Sequence, residues 1–210
     1  MPSPVPLPIC VCLSGHDLVY TRAGPTRIAD LDQSPGLRPL VLAVGSTGGL
    51  VWTPLMFHLH PPNSNQTRAL RITTSGAKSL TLTHMHNIFV TGPDQPLPLP
   101  MPLPARYARD VRRNDLVFVK RGLGLRQKQV RRVEEVSVAG VYSPVSYTGS
   151  LIVNDIAVSS YALLPHHQAH ALFQPAFRLP KSTQRQLQHT FHHMTDHDWT
   201  LWADYMRGIL

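Results

Sequence analysis

The sequence LTLTHMHNIFV at residues 80–90 places a hydroxyl and an imidazole three positions apart, between two apolar runs. Alternating leucines come before the polar residues and an Ile-Phe-Val run follows them, which predicts two strands joined by a short turn over residues 83–86. The end of a strand is rigid enough to hold a group that transfers protons. Thr83 and His86 are therefore a candidate catalytic pair.

Two cysteines, Cys10 and Cys12, lie near the start of the chain. They are too close together for an ordinary structural disulfide, so cysteine usage does not indicate the compartment. A free thiol is only a few per cent ionised at neutral pH and needs a base or a lowered pKa to act as a nucleophile. Cys12 with the distant His86 meets that requirement, whereas a buried and inert Cys12 is the alternative.

Further motifs follow in order along the chain. They are CLSG at residues 12–15, TxxH at 83–86, GVYSP at 140–144, GSLIVND at 149–155, SSYA at 159–162 and HQAHALFQPAFRL at 167–179. In order and spacing this set resembles the autoprocessing domain of hedgehog proteins, the Hint or Hog module, which is related to inteins. The last motif favours the hedgehog branch over a generic intein.

The resemblance implies an all-β, horseshoe-like Hint fold with a short helical appendage at its C terminus. Twenty prolines and several short Val, Ile, Leu and Tyr runs also favour an irregular all-β fold. The predicted domains are a Pro-rich lead-in or remnant of an upstream region at residues 1–11, the autoprocessing domain at 12–165 and a helical tail at 166–210. The lead-in is a poor signal peptide, and in hedgehog proteins a signalling domain stands in its place.

The resemblance also implies a reaction. The Cys12 thiolate attacks the carbonyl of Val11, the residue before the scissile bond, and converts that peptide bond to a thioester by an N-to-S acyl shift. His86 then protonates the leaving nitrogen, and Thr83 orients and polarises the scissile peptide. A sterol, water or a small thiol releases the thioester. Val11 replaces the family's usual glycine and is expected to crowd the thiol, so we expect slow turnover or an inactive site.

Two positions depart from the hedgehog pattern. His60, followed by Pro61, stands where the family has an Asp that is implicated in activating the sterol hydroxyl. A neutral imidazole can also take a proton from a hydroxyl, although a solvated imidazole at a strand end is the alternative. Ser160 stands where the family usually has a Cys close to the nucleophile, so it marks the neighbourhood of the catalytic centre.

Two H-x-H pairs, His58 with His60 and His84 with His86, lie in predicted strands. Alternate strand residues share a face, so either pair is suited to bind zinc. No Cys or carboxylate nearby completes a recognisable ligand set. We therefore expect no metal and no cofactor.

The formal net charge is +8, and basic residues concentrate at 106–113 and 121–132. Such a charge could bind nucleic acid or anionic lipid. No aromatic stacking motif is interleaved with it, so we expect a solvated face, with residues 128–135 in a hairpin, no nucleic-acid partner and a monomer. The Pro/Leu tract at 93–104 is predicted to be an exposed loop.

Apolar residues recur at helical intervals through residues 181–210. The position of this segment matches the family's sterol-recognition region, which implies membrane contact, and packing on its own domain is the alternative. The runner-up function is a catalytically degenerate Hint module that binds lipid or protein. By resemblance, the chain is expected in the secretory pathway or outside the cell.

Overall fold

The computed structural model describes residues 12–31, 38–59, 65–95, 101–194, 198, 201–202 and 204–206. Antiparallel strands make up just under half of this part of the chain, and the two α-helices follow the last strand. The strands are β1 Leu13–Ser14, β2 Leu18–Thr21, β3 Gly24–Arg27, β4 Leu40–Val44, β5 Leu50–His58, β6 Thr67–Thr74, β7 Ser79–Leu82, β8 His86–Thr91, β9 Ala105–Tyr107, β10 Leu116–Arg121, β11 Gly124–Val138, β12 Val141–Tyr142, β13 Pro144–Ser146, β14 Ser150–Val153 and β15 Ile156–Ala162. The helices are α1 His166–Phe177 and α2 Lys181–His193. The all-β prediction is confirmed.

The strands form one continuous hydrogen-bonded path. Its order is β12-β1-β7-β6-β11-β10-β8-β15-β14-β2-β4-β5-β13, with β3 beside β2 and β9 beside β8. β8 and β15 lie inside this path and are almost entirely buried. Both faces are covered, since Ile88 and Val158 pack in one apolar cluster and Phe89 in another. The path brings the start of the chain, β1, next to β7 and so next to the turn that follows β7.

One strand differs from the prediction. Residues 128–135 lie within the 15-residue strand β11 and do not form a hairpin. β11 pairs with β10 along its first half and with β6 along its second half, and the register shifts between Val130 and Arg132. Val130 is fully buried while Arg131 is exposed, because successive residues of a strand face opposite sides of the sheet.

The end of the Pro/Leu tract is also less exposed than predicted. Residues 96–100 lie outside the described part, but Leu103 is buried in a cluster with Phe118 and Phe89. The Val90 amide donates to the Pro104 carbonyl at 3.0 Å, so the segment runs back along β8. The prediction of an exposed loop is wrong for Leu103, because this pairing carries its side chain into the core.

The helices pack on the sheet through an aromatic cluster. Phe57 of β5 contacts Phe173 and Phe177 of α1 and Phe191 of α2, with ring centroids 5.9 to 6.3 Å apart. Trp202 also contacts Phe173, at 6.0 Å. Burial of this many rings contributes several kcal/mol of transfer free energy. The described tail therefore packs on its own domain, and no helix in the described residues is long and apolar enough to cross a bilayer.

Candidate active site

Cys12 lies immediately before β1 and is fully buried. β1 is held on one side by β7, where Leu13 pairs with Leu82, and on the other by β12, where Leu13 pairs with Tyr142. This double pairing fixes the backbone of the residue that precedes Leu13. Cys10 and Val11 lie outside the described residues.

Thr83 holds the backbone of Cys12 at two points. The Cys12 N–H donates to Thr83 Oγ1 at 2.9 Å, and the Thr83 N–H donates to the Cys12 carbonyl at 3.0 Å. Thr83 itself is buried. The Cys12 nitrogen belongs to the peptide bond with Val11, so a hydroxyl oxygen is fixed against the nitrogen that would leave in an acyl shift.

His86 is held by the same short turn. Its N–H donates to the Thr83 carbonyl at 3.1 Å, and its ring Nε2 lies 2.8 Å from the carbonyl oxygen of Ser159. A carbonyl oxygen only accepts hydrogen bonds, so Nε2 carries a proton. In the neutral ring Nδ1 is then the basic nitrogen, the one suited to take up and deliver a proton.

The structure thus brings Cys12, Thr83 and His86 together. Thr83 and His86 share one turn, and β1 pairs with β7, the strand that leads into that turn. His84, two residues before His86, points elsewhere: its Nε2 lies 3.1 Å from Glu135 on the surface. The two histidines of this H-x-H pair therefore do not share a site. No set of three metal-ligating side chains was found in the described part of the chain.

Ser160 is buried near this centre, but its hydroxyl accepts a hydrogen bond from the Ser146 N–H at 3.3 Å. The serine bonded to His86 is the preceding one, Ser159. Its carbonyl faces His86, whereas its hydroxyl contacts His166 Nδ1 at 2.8 Å. The sequence did not indicate Ser159, because its contact to His86 is made by a backbone atom.

His58 is a second buried imidazole on this side of the fold. Neither of its ring nitrogens makes a hydrogen bond to another described residue, and its ring lies edge-on to Tyr142, with centroids 6.5 Å apart. Burial, with a smaller contribution from the nearby His192, lowers the pKa of His58 to about 4, so the ring is neutral at pH 7. His60, the residue selected from the sequence, lies outside the described residues.

Strand pairing relates His58 to the cysteine. His58 pairs with Pro144, and Leu13 pairs with Tyr142 in the preceding strand. If the antiparallel pairing of β1 with β12 is extended by one residue beyond Leu13 and Tyr142, Ser143 lies opposite Cys12. The Ser143 carbonyl accepts a hydrogen bond from the Leu59 N–H at 3.1 Å. His58 and Cys12 therefore flank the same short segment from opposite sides.

A buried carboxylate supports the strands around the site. Asp17 accepts hydrogen bonds from the Thr81 N–H and from Asn154 Nδ2, both at 2.8 Å. Burial raises its pKa to about 6, since the hydrogen bonds offset only part of the desolvation. Thr81 lies two residues before Thr83 in the chain, so Asp17 helps to fix the strand that leads to the turn.

Comparison with known proteins identifies the family. A family model described as the Hint module matches residues 3–206. Indian hedgehog protein from Xenopus laevis is 30% identical over 154 residues, which cover 73% of this chain and 36% of that protein. Warthog protein 1 from Caenorhabditis elegans is 23% identical over 88% of this chain and 36% of its own length. The chain therefore spans about a third of the length of these relatives.

Solved structures show the same fold. A DnaB intein from Synechocystis sp. PCC 6803 has a TM-score of 0.58 at 13% identity, covering 72% of this chain and 99% of that one. The PabCDC21-1 intein has a TM-score of 0.61 at 14% identity, with coverages of 72% and 99%. At this identity the likeness concerns the fold alone, while the family model spans nearly the whole chain. The chain belongs to the Hint module family, together with the autoprocessing domains of hedgehog proteins and with inteins.

Proposed function

We propose that this chain cleaves its own backbone before Cys12 by an N-to-S acyl shift. The observation that carries the proposal is the pair of buried hydrogen bonds between Cys12 and Thr83, which fixes the peptide nitrogen that must leave. A shift of this kind needs its peptide bond held against a proton donor in a site that excludes water. The burial of Cys12, Thr83 and His86 meets that need.

The first step moves one proton in a closed cycle. His86 Nδ1 takes the proton of the Cys12 thiol, and the thiolate attacks the Val11 carbonyl carbon. The carbon–nitrogen bond then breaks, and the same proton passes to the Cys12 nitrogen. The hydrogen bond from Nε2 to the Ser159 carbonyl stabilises the imidazolium formed in between.

Thr83 assists at the leaving nitrogen. Its Oγ1 accepts the hydrogen bond of the Cys12 N–H, and an acceptor at this position favours electron density on the nitrogen. This makes the nitrogen easier to protonate when the amide loses its planarity. Thr83 is therefore both a positioning residue and a contact to the reacting atoms.

The thioester is released when an acceptor attacks the Val11 carbonyl carbon. The hydroxyl of a sterol, a water molecule and a thiol each fit this step. The acceptor forms a new bond to the Val11 carbonyl carbon, the carbon–sulfur bond breaks, and Cys12 recovers a proton. A hydroxyl acceptor needs a base, and the neutral His58 imidazole, buried beside the segment that flanks Cys12, supplies one. His60 remains the candidate from the sequence for the same role.

The experiment is intact mass spectrometry of the full chain fused behind a reporter domain. The fusion is incubated with and without dithiothreitol and with and without cholesterol. Cleavage before Cys12 in dithiothreitol supports the thioester, and the mass of the released reporter identifies the acceptor as thiol, sterol or water. Cys12→Ala should abolish cleavage, while the matched control Cys10→Ala should retain it. A folded fusion that stays intact under every condition overturns the proposal.

A second candidate function is an inactive Hint module that binds lipid or another protein through the tail. It is favoured by Leu201 and Tyr205, which are 54% and 69% exposed on the last helical residues. Co-sedimentation with vesicles of phosphatidylcholine and cholesterol tests it. Deletion of residues 181–210 should remove vesicle binding, and unchanged binding excludes this role. Under either function we place the module in the secretory pathway, as in the hedgehog branch; under the first function the released product is the part of the protein that precedes Cys12.

A further inference from the structure

A cavity of about 480 Å³ opens between the sheet and α1. Its walls are mostly apolar and include Val44, Phe89, Met101 and Leu103. This volume lies within the range of sites that bind small molecules. The proposed reaction at Cys12 does not use the cavity. The polar groups of the cavity come from helix α1, from the β13–β14 turn, and from Ser46 and Ser150.

Two histidines of α1, His166 and His170, line the cavity one helical turn apart. Their rings are parallel, with an interplanar angle of 3° and centroids 6.1 Å apart. Burial lowers the pKa of His166 to about 4 and lowers that of His170 as well. Both rings are therefore neutral at pH 7, and each carries one N–H.

Hydrogen bonds from the sheet decide which nitrogen carries that proton. The Ser159 hydroxyl accepts the Tyr161 N–H at 2.9 Å, so we assign its own proton to the bond with His166 Nδ1. The Tyr161 phenol lies 3.1 Å from His170 Nδ1, and since burial raises the pKa of the phenol it keeps its proton, which we assign to this bond. Since Nδ1 accepts in both rings, Nε2 is the donor of each.

Gly149 keeps this arrangement in place. Its φ is +73°, and a Cβ there would lie 2.6 Å from His170 Nδ1 and 2.7 Å from the Tyr161 ring. Glycine therefore allows His170 and Tyr161 to approach the turn at this point. The two imidazoles are held by specific partners on the sheet, which distinguishes them from exposed histidines such as His167.

No Lys, Arg, Asp or Glu is among the described residues that line the cavity. Neutral imidazoles give an anion no charge to pair with, and apolar walls penalise any ion. We propose that the cavity binds an uncharged, mostly apolar small molecule, through an oxygen that accepts a hydrogen bond from His166 or His170. Ser159 connects this site to the catalytic turn, because its carbonyl bonds to His86 and its hydroxyl bonds to His166. Binding in the cavity does not require cleavage at Cys12.

The test uses the full chain with ¹⁵N-labelled histidine and two probes of equal shape, 1-adamantanol and adamantane-1-carboxylate. Saturable binding of the alcohol should shift the Nε2 resonances of His166 and His170, and the carboxylate should bind at least about tenfold more weakly. Absence of saturable binding, equal affinity for both probes or shifts confined to other histidines would overturn the proposal.

Two variants and a control complete the test. His170→Phe removes one donor and fills space, and Met101→Trp fills the cavity from the opposite wall; each should weaken binding of the alcohol at least about tenfold. His167→Phe, on the exposed face of the same helix, should bind as the unmodified chain does. Thermal unfolding establishes that each variant is folded. If both folded cavity variants retain the original affinity, the site is not this cavity.

Discussion

The peptide nitrogen of Cys12 donates a 2.9 Å hydrogen bond to the hydroxyl of Thr83, and the Thr83 nitrogen returns a 3.0 Å bond to the Cys12 carbonyl. The two residues are 71 positions apart in the chain. Only the bond to the Thr83 hydroxyl uses a side chain. Substitution of Thr83 can therefore remove the contact at the leaving nitrogen and keep the backbone contact that aligns β1 with β7.

Thr83→Val should slow cleavage in dithiothreitol by roughly tenfold to a hundredfold, because it removes the acceptor of the Cys12 N–H while it preserves shape and the backbone bond. The buried N–H left without its acceptor should also lower the free energy of unfolding by about 1–3 kcal/mol. Intact mass against time and urea unfolding measure the two effects. Thr83→Ser is the control and should retain most of the rate. An unaltered rate in the valine variant would contradict the role given to Thr83.

His86→Ala should lower the rate of cleavage by roughly 10²-fold to 10⁴-fold, the range that positioned acid–base groups contribute. His84→Ala is a matched control, because His84 lies in the same turn but faces Glu135 at the surface. It should cleave at the original rate. The measurement is again the time course of intact mass in dithiothreitol. Equal effects of the two substitutions would show that the turn matters only for its backbone.

His58→Phe should separate the two halves of the reaction. Dithiothreitol supplies its own thiolate and needs no base in the protein, so thiol-induced cleavage should stay within about twofold of the original rate. Release by a hydroxyl acceptor should fall by at least about tenfold, because the base is lost. Parallel time courses with dithiothreitol and with cholesterol or water measure both. Equal loss in both reactions would indicate damage to the fold, and no loss in either would exclude His58 as the base.

Asp17 should make the fold less stable as the pH rises. Its pKa is about 6 in the folded chain and 3.8 as an ordinary carboxyl, so between these values the folded state binds more protons than the unfolded one. Stability from the neutral carboxyl is present below about pH 4 and is lost between about pH 4 and 6. The full shift corresponds to about 3 kcal/mol.

The pH dependence can be measured by urea unfolding from pH 4 to 8, with Asp17→Asn as the comparison. The difference between the two chains should change between about pH 4 and 6 and stay constant above pH 7. His58 acts in the opposite direction, because its lowered pKa removes stability as the pH falls below about 6.5, but this contribution cancels in the difference. A difference that does not vary with pH would contradict the raised pKa of Asp17.

Short-range patterns predicted the turn at residues 83–86 and the strands on either side of it, β7 and β8. Alternation and turn residues that are adjacent in the chain were enough for this prediction. Thr83 and His86 could be selected in the same way, since one turn contains both. Cys12 was found from its chemistry and its motif, without any information on its neighbours.

The tertiary structure decided the features that depend on distant partners. β11 is one long strand because β10 and β6 each pair with a different half of it, and its sequence alone also fitted a hairpin. Ser159, not Ser160, bonds to His86, because the register of β15 sets which carbonyl faces the turn. His58 joins His86 as a buried imidazole on the Cys12 side because β5 pairs with β13 at Pro144. Local preferences act over a few residues, whereas burial and register depend on contacts between strands far apart in sequence, and those form only when the whole sheet is assembled.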